Sequence, residues 1–139
     1  MPHRETILTF HMSAIVTLVT LIVYFWMATQ VVAERRRTGI RPPVMTGDPR
    51  LERALRAHAN TLEWLPIFLP SLWLCAVYWG DGIAAALGTV WPIGRVIYFL
   101  GYVADAPKRA PGFFIQFCAS AALLFGALGR AAYLLATGS

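Results

Sequence analysis

Apolar residues run without a charge from Ile7 to Ala33 (ILTFHMSAIVTLVTLIVYFWMATQVVA), and three further apolar stretches follow, their polar residues at helical spacing. The first run has 27 positions, which at about 1.5 Å of rise each exceed a hydrocarbon core of about 30 Å. It predicts a membrane span over about residues 7–33. Helical order should then fail in RTGIRPPVMTGDPR, where Gly39, Pro42, Pro43, Gly47 and Pro49 fall close together. A second span is predicted over about residues 51–79. Asp48 is placed to act as its N-cap, Pro49 suits the first helical position, and WGDG closes it. A third span, about 82–105, opens on small residues (IAAALG) that let helices approach closely, and a fourth covers about 112–135. Pro66, Pro70 and Pro92 lie within spans, where they should kink rather than terminate. The pattern predicts an all-α integral membrane four-helix bundle, antiparallel, forming a single domain over residues 1–139.

Composition agrees with that reading: 58% of residues are hydrophobic and 14% charged, against roughly 25% charged in soluble domains. Arg4 before the first run and small Ala33 at its end resemble a secretory signal, but cleavable apolar cores are shorter, so a retained signal anchor is expected. Cys75 and Cys118 form no CxxC or Cys/His cluster; no metal site is expected, and both should be buried packing residues. The net charge of +5 is concentrated in the first loop, with Arg35, Arg36, Arg37, Arg41 and Arg50 beside Glu34. Basic residues collect on cytosolic loops next to membrane spans, which explains the cluster better than nucleic acid does. Loops one and three, the latter with Lys108 and Arg109, should face the cytosol; YWGDG between spans two and three has no positive charge.

Ionisable groups inside a span are costly and usually have a function. Arg56, Asn60 and Glu63 are spaced by four and three residues, so they share one helix face, and Arg53 extends it toward the loop. One reading has Arg56 and Glu63 paired with each other or a neighbouring helix, with Asn60 as interhelical glue. Another is a ligand bearing both charge signs, since Arg and Asn donate to a carboxylate and Glu63 accepts from an ammonium. On the third helix Arg95, Tyr98 and Tyr102 repeat the spacing and Asp105 continues the face. The tyrosines suit an interfacial aromatic belt as well as a site. In APKRAPG, Lys108 and Arg109 serve either as membrane anchors or as cations that stabilise a bound thiolate.

The segments VVAERRR, IRPPVMTG, ERALRAHANTLEWLPIFL and RVIYFLGYVADAPKRAP resemble the MAPEG family, membrane-associated proteins of eicosanoid and glutathione metabolism, over about four fifths of the chain. They are most like the branch of leukotriene C4 synthase and microsomal glutathione transferase 2. The resemblance implies a homotrimer with glutathione bound between subunits, open to the cytosolic side. It further implies glutathione contacts from Arg56, Asn60, Glu63, Arg95, Tyr98 and Tyr102, from loop-one Arg35 or Arg36, and a catalytic Arg109 that stabilises the thiolate. His58 and Trp64 stand where relatives usually carry Gln and Tyr, and are included as glutathione contacts.

The function implied is a membrane glutathione transferase, with possible glutathione-dependent peroxidase activity, acting on a lipophilic electrophile or lipid hydroperoxide from the membrane lipid. It would reside in the inner membrane of a bacterium or the endoplasmic reticulum of a eukaryote. Two other classes compete. One is a non-catalytic MAPEG-like protein that binds and presents lipid; the other is a small multidrug transporter, which by resemblance would need a carboxylate in the first span, where none occurs.

Overall fold

The structure is a computed structural model that describes residues 10–139. Arg4, residues 7–9 and the signal-anchor expectation therefore lie outside the described residues. The chain forms α1 (His11–Thr38), α2 (Pro49–Trp79), α3 (Asp81–Ala104), a short 3-10 turn (Ala106–Arg109) and α4 (Ala110–Thr137). All four long helices are long and apolar enough to cross a membrane, and no strand occurs among the described residues.

The helix boundaries differ from expectation by a few residues, and two of the differences have a clear cause. Helix α1 continues through Glu34 to Arg37 before stopping, because charge does not break a helix and three arginines in the last turn complement its negative end. Gly39 stops it, with φ 73° and its N–H on the Arg35 carbonyl at 2.8 Å. Helix α4 begins at Ala110 instead of 112, since Pro111 falls in the first turn where its missing N–H is harmless. Helices α2 and α3 run unbroken through Pro66, Pro70 and Pro92.

Side chains fasten both ends of the bundle. At one end Glu34, largely buried, accepts from Arg37 Nε at 2.7 Å and Arg50 Nε at 2.9 Å. Arg37 Nη2 reaches Asp48 Oδ1 at 2.7 Å, and the same oxygen caps α2 by accepting from Leu51 N–H at 2.9 Å. Inside this clasp Arg35 Nη1 donates to the carbonyls of Ile40 at 3.2 Å and Val44 at 2.8 Å, closing loop one. At the other end Asp81 accepts from the backbone N–H groups of Met12 at 2.9 Å and Ser13 at 2.8 Å, satisfying the first turn of α1.

The core lies along α2 and α3, with Phe68 stacked on Trp91 at 4.4 Å and Leu72, Cys75 and Leu123 around them. Helix α3 packs most extensively on α4, and glycines allow it. A methyl group on Gly94 would come within 2.9 Å of Gln116 N, and one on Gly112 would strike the Tyr98 backbone and lie 2.6 Å from the Gly94 carbonyl oxygen. The two backbones touch there with no side chain between. Cys75 is buried as expected, but Cys118 is exposed. The buried face of α4 carries Gln116, Ala119, Ser120 and Leu123, so position 118 points away from the bundle.

Gly112→Ala should therefore destabilise the bundle by about 1–3 kcal/mol through overpacking, lowering the thermal midpoint in detergent, while Gly129→Ala, with nothing within 4 Å, should leave it unchanged or higher. Acid should act at the clasp. The Leu51 N–H first, and the Arg37 guanidinium next, hold the Asp48 carboxyl below its ordinary range. A depressed carboxylate stabilises the fold above its unfolded pKa of about 3.9, and that contribution is lost as pH falls through the lower folded value. The thermal midpoint should drop below about pH 4, and Asp48→Asn should flatten that part of the profile.

Candidate active site

The polar residues of α2 and α3 form a relay that begins in the core. Arg95 is fully buried, and its Nε and Nη2 donate to Thr61 Oγ1 at 3.2 and 2.6 Å. That hydroxyl in turn donates to the Ala57 carbonyl at 2.9 Å. Arg95 Nη2 also donates to Asn60 Oδ1 at 3.1 Å, which orients the amide so that its Nδ2 donates to Glu63 Oε2 at 3.3 Å. Glu63 Oε1 accepts from Arg56 Nη1 at 3.1 Å. The guanidinium of Arg95 lies 4.0 Å from the centre of the Tyr98 ring, while its Nη1 has no partner.

The stripe thus satisfies itself within one chain, as the self-pairing reading of the sequence held. It faces outward from the bundle of its own chain, with the Arg56 and Glu63 side chains 57% and 53% exposed. An exposed pair of this kind is worth about 0–1 kcal/mol where water reaches it, so a ligand can open it there at little cost.

A cleft of about 760 Å³ opens beside the relay. Arg56, Asn60, Tyr98, Tyr102 and Arg109 line its polar part, and Ala110, Phe113, Phe114 and Phe117 of α4 line the rest. The 3-10 turn after Asp105 reverses the chain tightly, with Gly101 against the Lys108 carbonyl, and this carries the Arg109 guanidinium to 5.1 Å from the Tyr102 ring centre. Tyr102 meets Tyr98 edge-on at 5.6 Å, and Phe113 stacks on Phe117 at 6.2 Å. The cleft joins cations and phenols on one side to an aromatic wall on the other.

Of the residues singled out in the sequence, Arg56, Asn60, Tyr98, Tyr102 and Arg109 line the cleft, and Glu63 and Arg95 reach it through the relay. Trp64 stands behind the wall, edge-on to Phe113 at 5.6 Å and Phe117 at 6.0 Å. His58 points elsewhere, stacked on Tyr24 of α1 at 4.6 Å. Arg35 and Arg36 line a separate hollow of about 460 Å³ at loop one. The phenylalanines were not singled out beforehand, although positions 113, 114 and 117 share one side of a helix that starts just after Arg109.

An all-helical membrane bundle with a cationic, tyrosine-lined cleft at one end defines the class. The sequence profile of the MAPEG family matches residues 13–129. Human microsomal glutathione S-transferase 2 is 41% identical over 107 residues, covering 76% of this chain and 73% of that protein. Guinea pig (Cavia porcellus) leukotriene C4 synthase is 40% identical over 96 residues, 69% of this chain and 64% of its own length. An uncharacterized protein of Synechocystis sp. is 43% identical over 115 residues, 83% of this chain and 84% of its own. The chain belongs to the MAPEG family, and the multidrug-transporter alternative loses its basis.

Thr61→Val should leave two guanidinium N–H groups of Arg95 unpaired in the core and cost about 1–3 kcal/mol, measured by thermal or denaturant unfolding in detergent. Thr61→Ser, which keeps the hydroxyl, should recover most of the loss.

Proposed function

We propose that this protein is a membrane-bound glutathione transferase in which Arg109 stabilises the thiolate of bound glutathione for attack on a lipophilic electrophile. The observation that carries the reading is the cleft itself: Arg56, Asn60, Tyr98, Tyr102 and Arg109 converge on one polar surface that is continuous with the phenylalanine wall of α4. The first part suits a small zwitterionic peptide and the second a greasy acceptor. The names of the human and guinea pig relatives, a glutathione S-transferase and leukotriene C4 synthase, agree with that chemistry.

Arg56 and Asn60 would donate to a glutathione carboxylate, and Glu63, released from Arg56, would accept from its ammonium. Arg95 would hold Asn60 and Tyr98 in place from below. The sulfur would then lie near Arg109, whose charge favours the thiolate over the thiol, the thiol pKa in water being about 8.5. In conjugation the sulfur lone pair forms a bond to the electrophilic carbon. The electrons of the broken carbon bond leave with the departing group or strained oxygen, and the thiol proton passes to solvent or to that oxygen. With a lipid hydroperoxide, the thiolate would instead attack the terminal oxygen, breaking the O–O bond and releasing the lipid alcohol, and a second glutathione would attack the resulting sulfenic acid to give the disulfide and water.

Arg35 and Arg36 line a hollow apart from the cleft of their own chain, so within this reading they would serve a neighbouring subunit's glutathione in a homotrimer. The concentration of arginine at loop one supports a cytosolic position for that end. His58 and Trp64 would act indirectly, Trp64 by backing the wall and His58 by fixing α1 against α2. The alternative role, lipid binding without chemistry, is favoured by the phenylalanine wall alone.

Purified protein in detergent should develop thiolate absorbance when titrated with glutathione, and should conjugate 1-chloro-2,4-dinitrobenzene. Arg109→Ala should raise the pKa of the bound thiol by one unit or more, each unit being about 1.4 kcal/mol and tenfold in thiolate near neutral pH. Conjugation that is unchanged in Arg109→Ala at neutral pH would remove Arg109 from the chemistry, and no thiolate signal in wild type would favour the lipid-presenting role.

A further inference from the structure

The end of the bundle away from loop one carries a cation, Arg130, that has no ionic partner among the described residues. We propose that Arg130, Trp79 and Tyr133 form a seat for the phosphate of a membrane phospholipid, in the leaflet opposite loop one. Trp79, the last residue of α2, donates from Nε1 to the Gly126 carbonyl at 2.9 Å, which lays its indole across α4. The Arg130 guanidinium sits 5.3 Å from the Trp79 ring centre and 5.7 Å from that of Tyr133. Its Nε is buried without a hydrogen-bond partner, and no ion pair among the described residues includes it.

Asp81 is the one side-chain carboxylate of this end among the described residues, and both its oxygens are occupied by the first turn of α1. A positive charge at the end opposite an arginine-rich loop runs against the usual distribution of cations around membrane spans. Stacking on rings occupies the flat faces of a guanidinium and leaves its N–H edge free. That edge matches two phosphate oxygens. A phospholipid fits better than a free anion because the seat is itself apolar surface, the Trp79 and Tyr133 rings that form it both being exposed. Tryptophan and tyrosine are also the side chains that favour headgroup depth.

A purely structural role would have Arg130 offset the negative end of α2. Native mass spectrometry on delipidated protein in nonionic detergent separates the two. Phosphatidylglycerol should bind wild type and raise its thermal midpoint, and Arg130→Gln should weaken the adduct about tenfold with helical content retained. Diacylglycerol should bind neither form, and millimolar inorganic phosphate should not compete. Equal phosphatidylglycerol binding by Arg130→Gln, equal binding of diacylglycerol by wild type, or displacement by inorganic phosphate would each overturn the proposal. So would a variant whose midpoint falls without lipid while its gain from lipid stays at the wild-type value.

Discussion

The direct approach of α3 and α4 at Gly94 and Gly112 is the constraint on which the cleft depends. With no side chain between the backbones, Tyr98 and Phe113 come within 6.2 Å of one another, ring centre to ring centre. Everything on the loop-one side of the crossing is then determined by short covalent distances. The 3-10 turn returns the chain over Tyr102, and Phe113, Phe114 and Phe117 follow along the next turns of α4. Membrane helices lack a hydrophobic force to hold them together, so close backbone packing does that work and shapes the cleft at the same time.

The second determinant is one guanidinium enclosed in the core. Arg95 reaches no carboxylate directly; a hydroxyl, an amide oxygen and a tyrosine ring surround it, and its charge meets Glu63 only through Asn60. Such a cation is expensive to bury, and removing any one neighbour leaves donors stranded. The rigidity that follows is confined to the base of the relay. Its outer end, Arg56 and Glu63, is exposed on the surface of the chain, so a buried support carries an exposed rim.

The helices and much of the cleft were legible in the sequence because length, cap residues and residue spacing are local properties. Asp48 and Pro49 announced the start of α2, and Arg56, Asn60 and Glu63 announced a shared face. Which way that face turns was not legible, since spacing fixes positions around a helix but not its rotation against neighbours. Hence Arg56 and Glu63 point outward, His58 turns to Tyr24, and Cys118 is exposed although it sits in an apolar run. The phenylalanine wall was hidden for a related reason: an aromatic residue on a membrane helix reads the same whether it meets lipid or lines a cavity. Helix α1 runs past the end of the apolar span because a charged last turn ends the hydrophobic pattern without ending the helix.

The link from Asp81 to Met12 and Ser13 joins residues 69 and 68 positions apart. During synthesis the first span leaves the ribosome long before the hairpin bearing its acceptor exists. Its opening amides must find other partners until α2 has been inserted and the connecting turn has reached the far surface. Only then can those two amides take the partner they have in the folded chain.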